Sequence, residues 1–294
     1  MSLALNFREP IVSFDKRHSA TRNDYVNLDL IWDEAGETCT IAMKSSCPLS
    51  FSPLVLTELL LCAKEMSKDP THSVRNRVLI SSRPGVFSLG GDLAFFRGCI
   101  QRGDSGSLKD YAITAVDAIW ESITGSGIDD LVSIALVQGE AQGGGFEAAL
   151  ASHVLVAERG TWFGFPEGLF GLFPGMGAKH LLTARASPGT ASKIIGSARR
   201  YSAEELHAEG LIDYLADPGC GRQLLETILR KADRNQLLEL RHRFGGITKE
   251  DLVTTVLEWT DLAMGLSPKH LRTIDYLIQA QSRARYATPS IRVV

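Results

Sequence analysis

The chain lacks any long hydrophobic run. No uninterrupted apolar stretch approaches the roughly 18 residues that a membrane-spanning helix needs. It also lacks an excess of positive charge: 31 Lys and Arg against 34 Asp and Glu give a formal net charge of -3, which offers no attraction to nucleic acid or to an anionic membrane surface. The five cysteines, Cys39, Cys47, Cys62, Cys99 and Cys220, are scattered and form no C-x-x-C pair. Neither a disulfide framework nor a zinc site is expected from them, and buried, reduced thiols are. The seven histidines show no H-E-x-x-H or other metal spacing. No G-K-[ST] follows any glycine cluster, which excludes a phosphate loop. No G-x-S-x-G elbow surrounds Ser88, which excludes a serine nucleophile of that type. The N-terminal residues MSLALNFREPIVSFDKRHSA hold only a short apolar patch followed by charges of both signs, unlike a secretory signal, so a cytoplasmic location is expected.

What is present is an ordinary globular composition, 44% hydrophobic and 22% charged, over 294 residues, enough for about two domains with a sizeable core. Residues 1–23 read as a loosely held arm. Residues 24–220 read as a β/α core: strands at Val26–Trp32, Thr38–Met43, Arg77–Ser81, Leu131–Val137, His153–Ala157 and Thr161–Phe165, interleaved with helices. Ser52-Pro53 marks one helix start. Ser107, with Asp110 three residues on, marks another, whose apolar face carries Leu108, Ala112, Ala115, Ile119 and Ile123. The segment Ser82–Asp92 reads as a loop. Ser202 and Glu205 predict a capping box for a helix that stops at Gly210. Over residues 221–294 no strand signal remains, and three or four amphipathic helices are expected, the last opening at Ser267-Pro268.

The chemistry-bearing segment is Val137–Leu150, VQGEAQGGGFEAAL. A buried strand ends and three glycines open a helix. Unpaired N–H groups and partial positive charge gather at such a terminus, and glycine lets a substrate approach the backbone, so the place suits a developing oxyanion. A tight strand-to-helix turn that needs glycine only for packing gives the same pattern. Glu147 follows in the first turn of this small apolar helix, where burial raises a carboxyl toward values useful in proton transfer; an acidic residue favouring the helix dipole is the plainer alternative. Glu167 lies after Pro166 and before GLFGLFPGMG, again in an apolar, glycine-rich setting. In Phe87–Leu93, FSLGGDL, the Gly91 N–H is a candidate second oxyanion donor and Asp92 a candidate helix cap. Two glycine-rich turns and two carboxylates form a constellation for acid/base chemistry on a carbonyl compound. His153, between a helix and a strand, reads as a core histidine.

The ordered set SLGGDL, VQGEAQGGGFEAAL, FPEGLFGLFPGMGA and YSAEELHAEGLID resembles the crotonase (enoyl-CoA hydratase/isomerase) superfamily over roughly residues 25–215. The resemblance implies an α/β fold, a crotonase-like spiral of β-β-α units with a helical C-terminal domain that packs in trimers. It implies an oxyanion hole from the N–H groups of Gly91 and Gly144, catalytic carboxylates at Glu147 and Glu167, and no metal or redox cofactor. Within that superfamily the segments SLGGDLAFF, GGGFEAAL, PEGLFGLFPGMGA and the tail LRTIDYLIQAQSRAR resemble the diffusible signal factor synthases. That finer resemblance implies dehydration of a 3-hydroxyacyl thioester to a cis-2-enoyl thioester and its hydrolysis to the free fatty acid. It implies that Trp259 and Leu277 close over the acyl chain, a homotrimer or hexamer, and association with a sensor kinase. The dense apolar patch after Glu167 adds Phe170 and Met176 to the expected acyl pocket, and Gln142, which departs from the family by standing where an apolar residue is usual, is expected to line it together with Gly143. The lysine that hydratases often carry after the G-x-D turn is absent from Asp92-Leu93-Ala94-Phe95-Phe96, which leaves acyl carrier protein beside coenzyme A as the carrier. A plain enoyl-CoA hydratase or isomerase, and a non-catalytic regulatory protein on the same fold, are the competing expectations.

Overall fold

The computed structural model describes residues 25–286 except 34, 36 and 69–72 (and, of 283–286, the backbone only), so the arm expected over 1–23 lies outside the described residues. The chain opens with an antiparallel pair, β1 (Leu28–Trp32) and β2 (Thr38–Met43), followed by α1 (Pro53–Lys68). Three strand pairs then repeat one design. The first is β3 (Asn76–Ser81) and β4 (Gly85–Ser88), leading to α2 (Leu93–Arg102) and α3 (Ser105–Thr124). The second is β5 (Val132–Val137) and β6 (Gly139–Gln142), leading to α4 (Gly144–Leu150). The third is β7 (Val154–Glu158) and β8 (Trp162–Gly164), leading to a 3-10 turn at Pro166–Phe170.

In each pair the first strand joins one sheet and the second joins another. The large sheet has the order β1-β2-β3-β5-β7-β10 and the small one β4-β6-β8-β9, with β9 at Arg200–Ser202 and β10 at Tyr214–Ala216. From β2 to β10 the large sheet is parallel, and its central strand β5 is buried at every position, as its continuous apolar sequence requires. The switch between sheets is abrupt: one residue, Gln138, separates β5 from β6. Each step from one sheet to the other brings a strand end of the small sheet to the start of a helix or 3-10 turn, and the site is built there.

Between β8 and β9 lie α5 (Ala178–Arg185) and α6 (Pro188–Ser197), and α7 (Ala203–Ala208) follows β9. From Gly221 onward the described chain is helical: α8 (Gly221–Lys231), α9 (Arg234–Glu239), a 3-10 turn at Leu240–Phe244, α10 (Lys249–Met264) and α11 (Pro268–Tyr286). α10 packs on α3, and α11 packs on α2 and on the 3-10 turn Pro166–Phe170. No helix among the described residues is long and apolar enough to cross a membrane.

Several local expectations hold. Ser202 accepts from Glu205 N while Glu205 accepts from Ser202 N, which makes the capping box. Asp92 caps α2 by accepting from Phe95 N at 3.0 Å. Others need correction. The cap of α3 is Asp104, which accepts from Ser107 N, so the helix starts two residues before Ser107. The segment read as a loop contains β4, and Gly139–Gln142, for which no strand was expected, is β6. Both strands are too short and glycine-rich to show a period, and their pairing to each other supplies what propensity does not. Four of the cysteines are buried, but Cys220 is exposed at the start of α8.

Candidate active site

Two glycine-rich turns meet at the base of a cavity of about 460 Å³. The turn Ser88–Asp92 is fixed from below: Phe51 N donates to Gly90 O at 2.7 Å, and the Tyr111 hydroxyl accepts from Asp92 N and donates to Phe51 O. The turn packs against the start of α4 so closely that a methyl group on Gly90 would lie 2.8 Å from Gln142 O and 3.0 Å from Gly144 N, and Gly90 has φ +93. No side chain is tolerated there, and that close approach is what sets Gly91 beside Gly144. Neither the Gly91 nor the Gly144 N–H donates to another group among the described residues, and both residues line the cavity. Two neighbouring N–H groups without partners, one of them at a helix N-terminus, are the kind of donor pair that can hold a carbonyl oxygen as it gains negative charge.

Glu147 sits one turn into α4 and is 1% exposed. Phe146, beside it in sequence, packs on Phe163 and Phe165 at 5.1 and 4.9 Å and anchors the helix in the core. The Glu147 Oε1 accepts from Met176 N at 2.8 Å and from Ala178 N at 3.0 Å. Burial pushes its carboxyl up to about 7, against the opposing pull of those two donors.

Glu167 sits in the 3-10 turn that follows β8. It is half-buried as a residue, but its Oε2 is enclosed and has no hydrogen-bond partner. Its other oxygen lies over Gly143, where a methyl group would come within 2.3 Å of Oε1, and Gly143 itself has φ +48. Burial, and then the negative charge of Glu147, push the Glu167 carboxyl up to about 8. Both carboxyls open on the cavity. Each charge opposes the other, so the pair loses its protons in two steps, and between those steps it holds a single proton, a state suited to acid/base chemistry.

The structure gathers nearly every residue singled out in the sequence: Gly91, Gln142, Gly144, Glu147, Glu167, Phe170, Met176, Trp259 and Leu277 all line the one cavity. Gly143 does not line it and serves instead as the seat of Glu167. Trp259, on α10, meets Phe96 edge-on at 5.0 Å, which closes the apolar end. Leu89, Leu93 and Phe96 extend that lining from the first turn and α2. Three contributors escaped the sequence reading. Tyr111 shares the apolar face of α3 with Leu108 and Ala115 and passes for core. Glu140 and Arg200, which also line the cavity, lie in strands too short to be recognised. His153 is a core histidine as expected: its Nδ1 accepts from Ser133 N, so Nε2 carries the proton to Ile123 O, and burial lowers its pKa to about 3. Among the described residues no three His, Cys, Asp or Glu side chains are grouped so as to hold a metal ion.

Comparison with known proteins places this geometry. The profile of the enoyl-CoA hydratase/isomerase family matches residues 37–234. The chain is 32% identical over 158 residues to the peroxisomal fatty acid beta-oxidation multifunctional protein AIM1 of Arabidopsis thaliana, a match that covers 53% of this chain and 21% of that protein. To the crotonyl-CoA hydratase of Syntrophomonas wolfei it is 26% identical over 181 residues, 61% of this chain and 64% of the other. The chain thus spans about a fifth of the plant multifunctional protein and under two thirds of the bacterial hydratase. In three dimensions it is similar to enoyl-CoA hydratase from Bacillus halodurans, with a TM-score of 0.71 at 18% identity, covering 85% of this chain and 99% of that one. With the profile matching most of its length and the paired sheets, glycine turns and carboxylates in place, the chain belongs to the enoyl-CoA hydratase/isomerase family, the crotonase superfamily.

Proposed function

We propose that this protein adds or removes water across the C2–C3 bond of an acyl thioester. One observation carries the reading: two carboxyls with pKa values raised into the neutral range face the same cavity as two unpaired backbone N–H groups. The thioester oxygen sits between Gly91 N–H and Gly144 N–H. One glutamate takes the proton from C2, and the charge that develops moves onto that oxygen as an enolate. The other glutamate protonates the 3-hydroxyl, which leaves as water. Hydration is the same path reversed. The activity named for the bacterial relative, crotonyl-CoA hydratase, supports this reading first.

A second reading adds hydrolysis of the thioester, with a glutamate activating water, to release a free cis-2-unsaturated acid from acyl carrier protein. Its support is the resemblance of the glycine turns and the C-terminal tail to signal factor synthases, together with a cavity whose lining of Leu93, Phe96, Phe170 and Trp259 suits an alkyl chain. This reading also carries the cytoplasmic location, the trimer or hexamer and the sensor-kinase contact. Light scattering at micromolar concentration checks the oligomer, and a monomer there removes it.

The deciding experiment is mass analysis of products from 3-hydroxyacyl carrier protein and 3-hydroxyacyl-CoA, run side by side. A 2-enoyl thioester on either carrier is expected. Free unsaturated acid in addition establishes the second reading. No change at C2 or C3 on either carrier overturns both.

A further inference from the structure

The cavity is mostly apolar, yet one wall carries a connected polar row. Gln142 in β6 is in register with Gly164 in β8, and Gly164 with Arg200 in β9. Gly164, at the centre, has no side chain, and a methyl group there would meet Gln142 Oε1 at 3.3 Å. Over that gap the neighbours converge on Glu140, two residues before Gln142 and on the same face of β6. Glu140 Oε1 is 3.0 Å from the Arg200 guanidinium and accepts from Gln142 Nε2 at 3.1 Å. Glu140, Gln142 and Arg200 all line the cavity.

This chain of contacts orients an amide. A carboxylate paired with arginine offers acceptors only, so the Gln142 NH₂ must face Glu140, and the carbonyl oxygen must face away. No group among the described residues donates to that Oε1. A purely apolar acyl group gains nothing from an oriented acceptor, and covering it without a partner is unfavourable.

We propose that Gln142 is a specificity element of this site: its Oε1 accepts a hydrogen bond from a hydroxyl carried by the acyl chain, with Glu140 and Arg200 as positioning residues that hold the amide in that orientation. The proposal rests on the acyl-thioester reading above. The hydroxyl is either the one at C3 that takes part in the reaction or a second one farther along the chain, and binding separates the two.

The test uses the full-length protein and measures dissociation constants by calorimetry for S-octyl pantetheine and its 3-hydroxy and 5-hydroxy forms. In these thioethers a methylene replaces the carbonyl, so no reaction occurs, and pantetheine is common to both carriers. The protein is expected to bind one hydroxylated form about tenfold tighter than the plain one, the scale of one neutral hydrogen bond. The 3-hydroxy form identifies the reacting hydroxyl, and the 5-hydroxy form a distal one. Gln142→Leu should bring the preference to about one, and Gln142→Met carries the same expectation should the leucine variant not fold. Glu140→Gln lets the amide turn and should erode the preference. Arg200→Ala should do likewise, with Arg200→Lys restoring it. Equal affinity for all three compounds, or a preference that survives in both Gln142 variants, overturns the proposal and leaves the reaction untouched. No binding of any of the three overturns this proposal, while the acyl-thioester reading stands or falls on the product analysis above.

Discussion

The two carboxylates of the site are held in opposite ways. Glu147 rises from a helix whose neighbours are core, and two backbone N–H groups grip one of its oxygens. Glu167 rises from a 3-10 turn, leans on the bare Cα of Gly143, and has an enclosed oxygen with no partner at all. Both are raised by burial, but Glu167 is raised further by the charge of its neighbour. One group is clamped and the other is free to meet a ligand. The proposed elimination uses a base at C2 and an acid at the oxygen on C3, so two carboxyls held independently are compatible with it.

The largest effects should come from erasing either member. Glu147→Gln and Glu167→Gln are each expected to lower turnover at least about 100-fold while the protein stays folded. Wild-type turnover in either folded variant would remove that residue from the reaction. Gly143→Ala attacks the free member without changing it. The new methyl would lie 2.3 Å from Glu167 Oε1, on a residue with φ +48, so the carboxylate must move. A displacement of that kind costs about 100-fold, and kcat should fall with little change in the environment of Glu147. A Gly143→Ala enzyme of normal kcat would mean that Glu167 is not held where it must be for chemistry.

The clamped member leaves a signature in stability. The Glu147 carboxyl is at about 7 in the folded protein against an ordinary value of 4.5. Between those values the folded state binds more protons than the unfolded one. Stability therefore falls as pH rises from about 4.5 through about 7, by on the order of 3 kcal/mol for this one group. Glu147→Gln abolishes the loss. Its melting temperature relative to wild type should match near pH 5 and climb by pH 8. A difference that is flat across that range would show that Glu147 is not raised by burial.

The same contrast explains what was legible from the residues alone. Glu147 is partly legible: a carboxylate in the first turn of a short helix of Phe, Ala and Leu is expected to be buried in part, though the helix dipole alone also favours an acid there. The glycines of FSLGGDL and QGGGFE mark tight turns in the sequence, but that the two turns pack on each other is visible only in the structure. Glu167 is visible mainly through its position in a resembling pattern, for its turn has no period. The strands β4, β6 and β9 were unreadable for a related reason. Each has three or four residues, and each is held by its partner in the small sheet rather than by its own propensity. The Arg200–Glu140–Gln142 row depends on the register of those strands, so no local pattern marks it. Tyr111 was hidden differently: its ring belongs to the core face of α3, and only its hydroxyl serves the site.

The smallest effect concerns the surroundings of the free member. The turn that carries Glu167 packs against α11, and Leu277 of that helix reaches the cavity together with Phe170 and Trp259. If this wall receives the far end of an acyl chain, each methylene buried there contributes about 0.8 kcal/mol, so four more carbons tighten binding by roughly 3 kcal/mol until the cavity is full. Leu277→Trp fills part of the cavity from the α11 side. Long substrates should then lose several-fold more in kcat/KM than short ones, while the distance between the two carboxylates and the N–H pair stays as it was. Specificity constants for butyryl-, octanoyl- and dodecanoyl-length substrates on both proteins measure this. If Leu277 only fills the core, the exchange lowers the melting temperature and reduces all lengths in parallel. A parallel loss, or a wild-type profile that is flat with length, would detach α11 from the acyl pocket and leave the free carboxylate with a wall that serves packing alone.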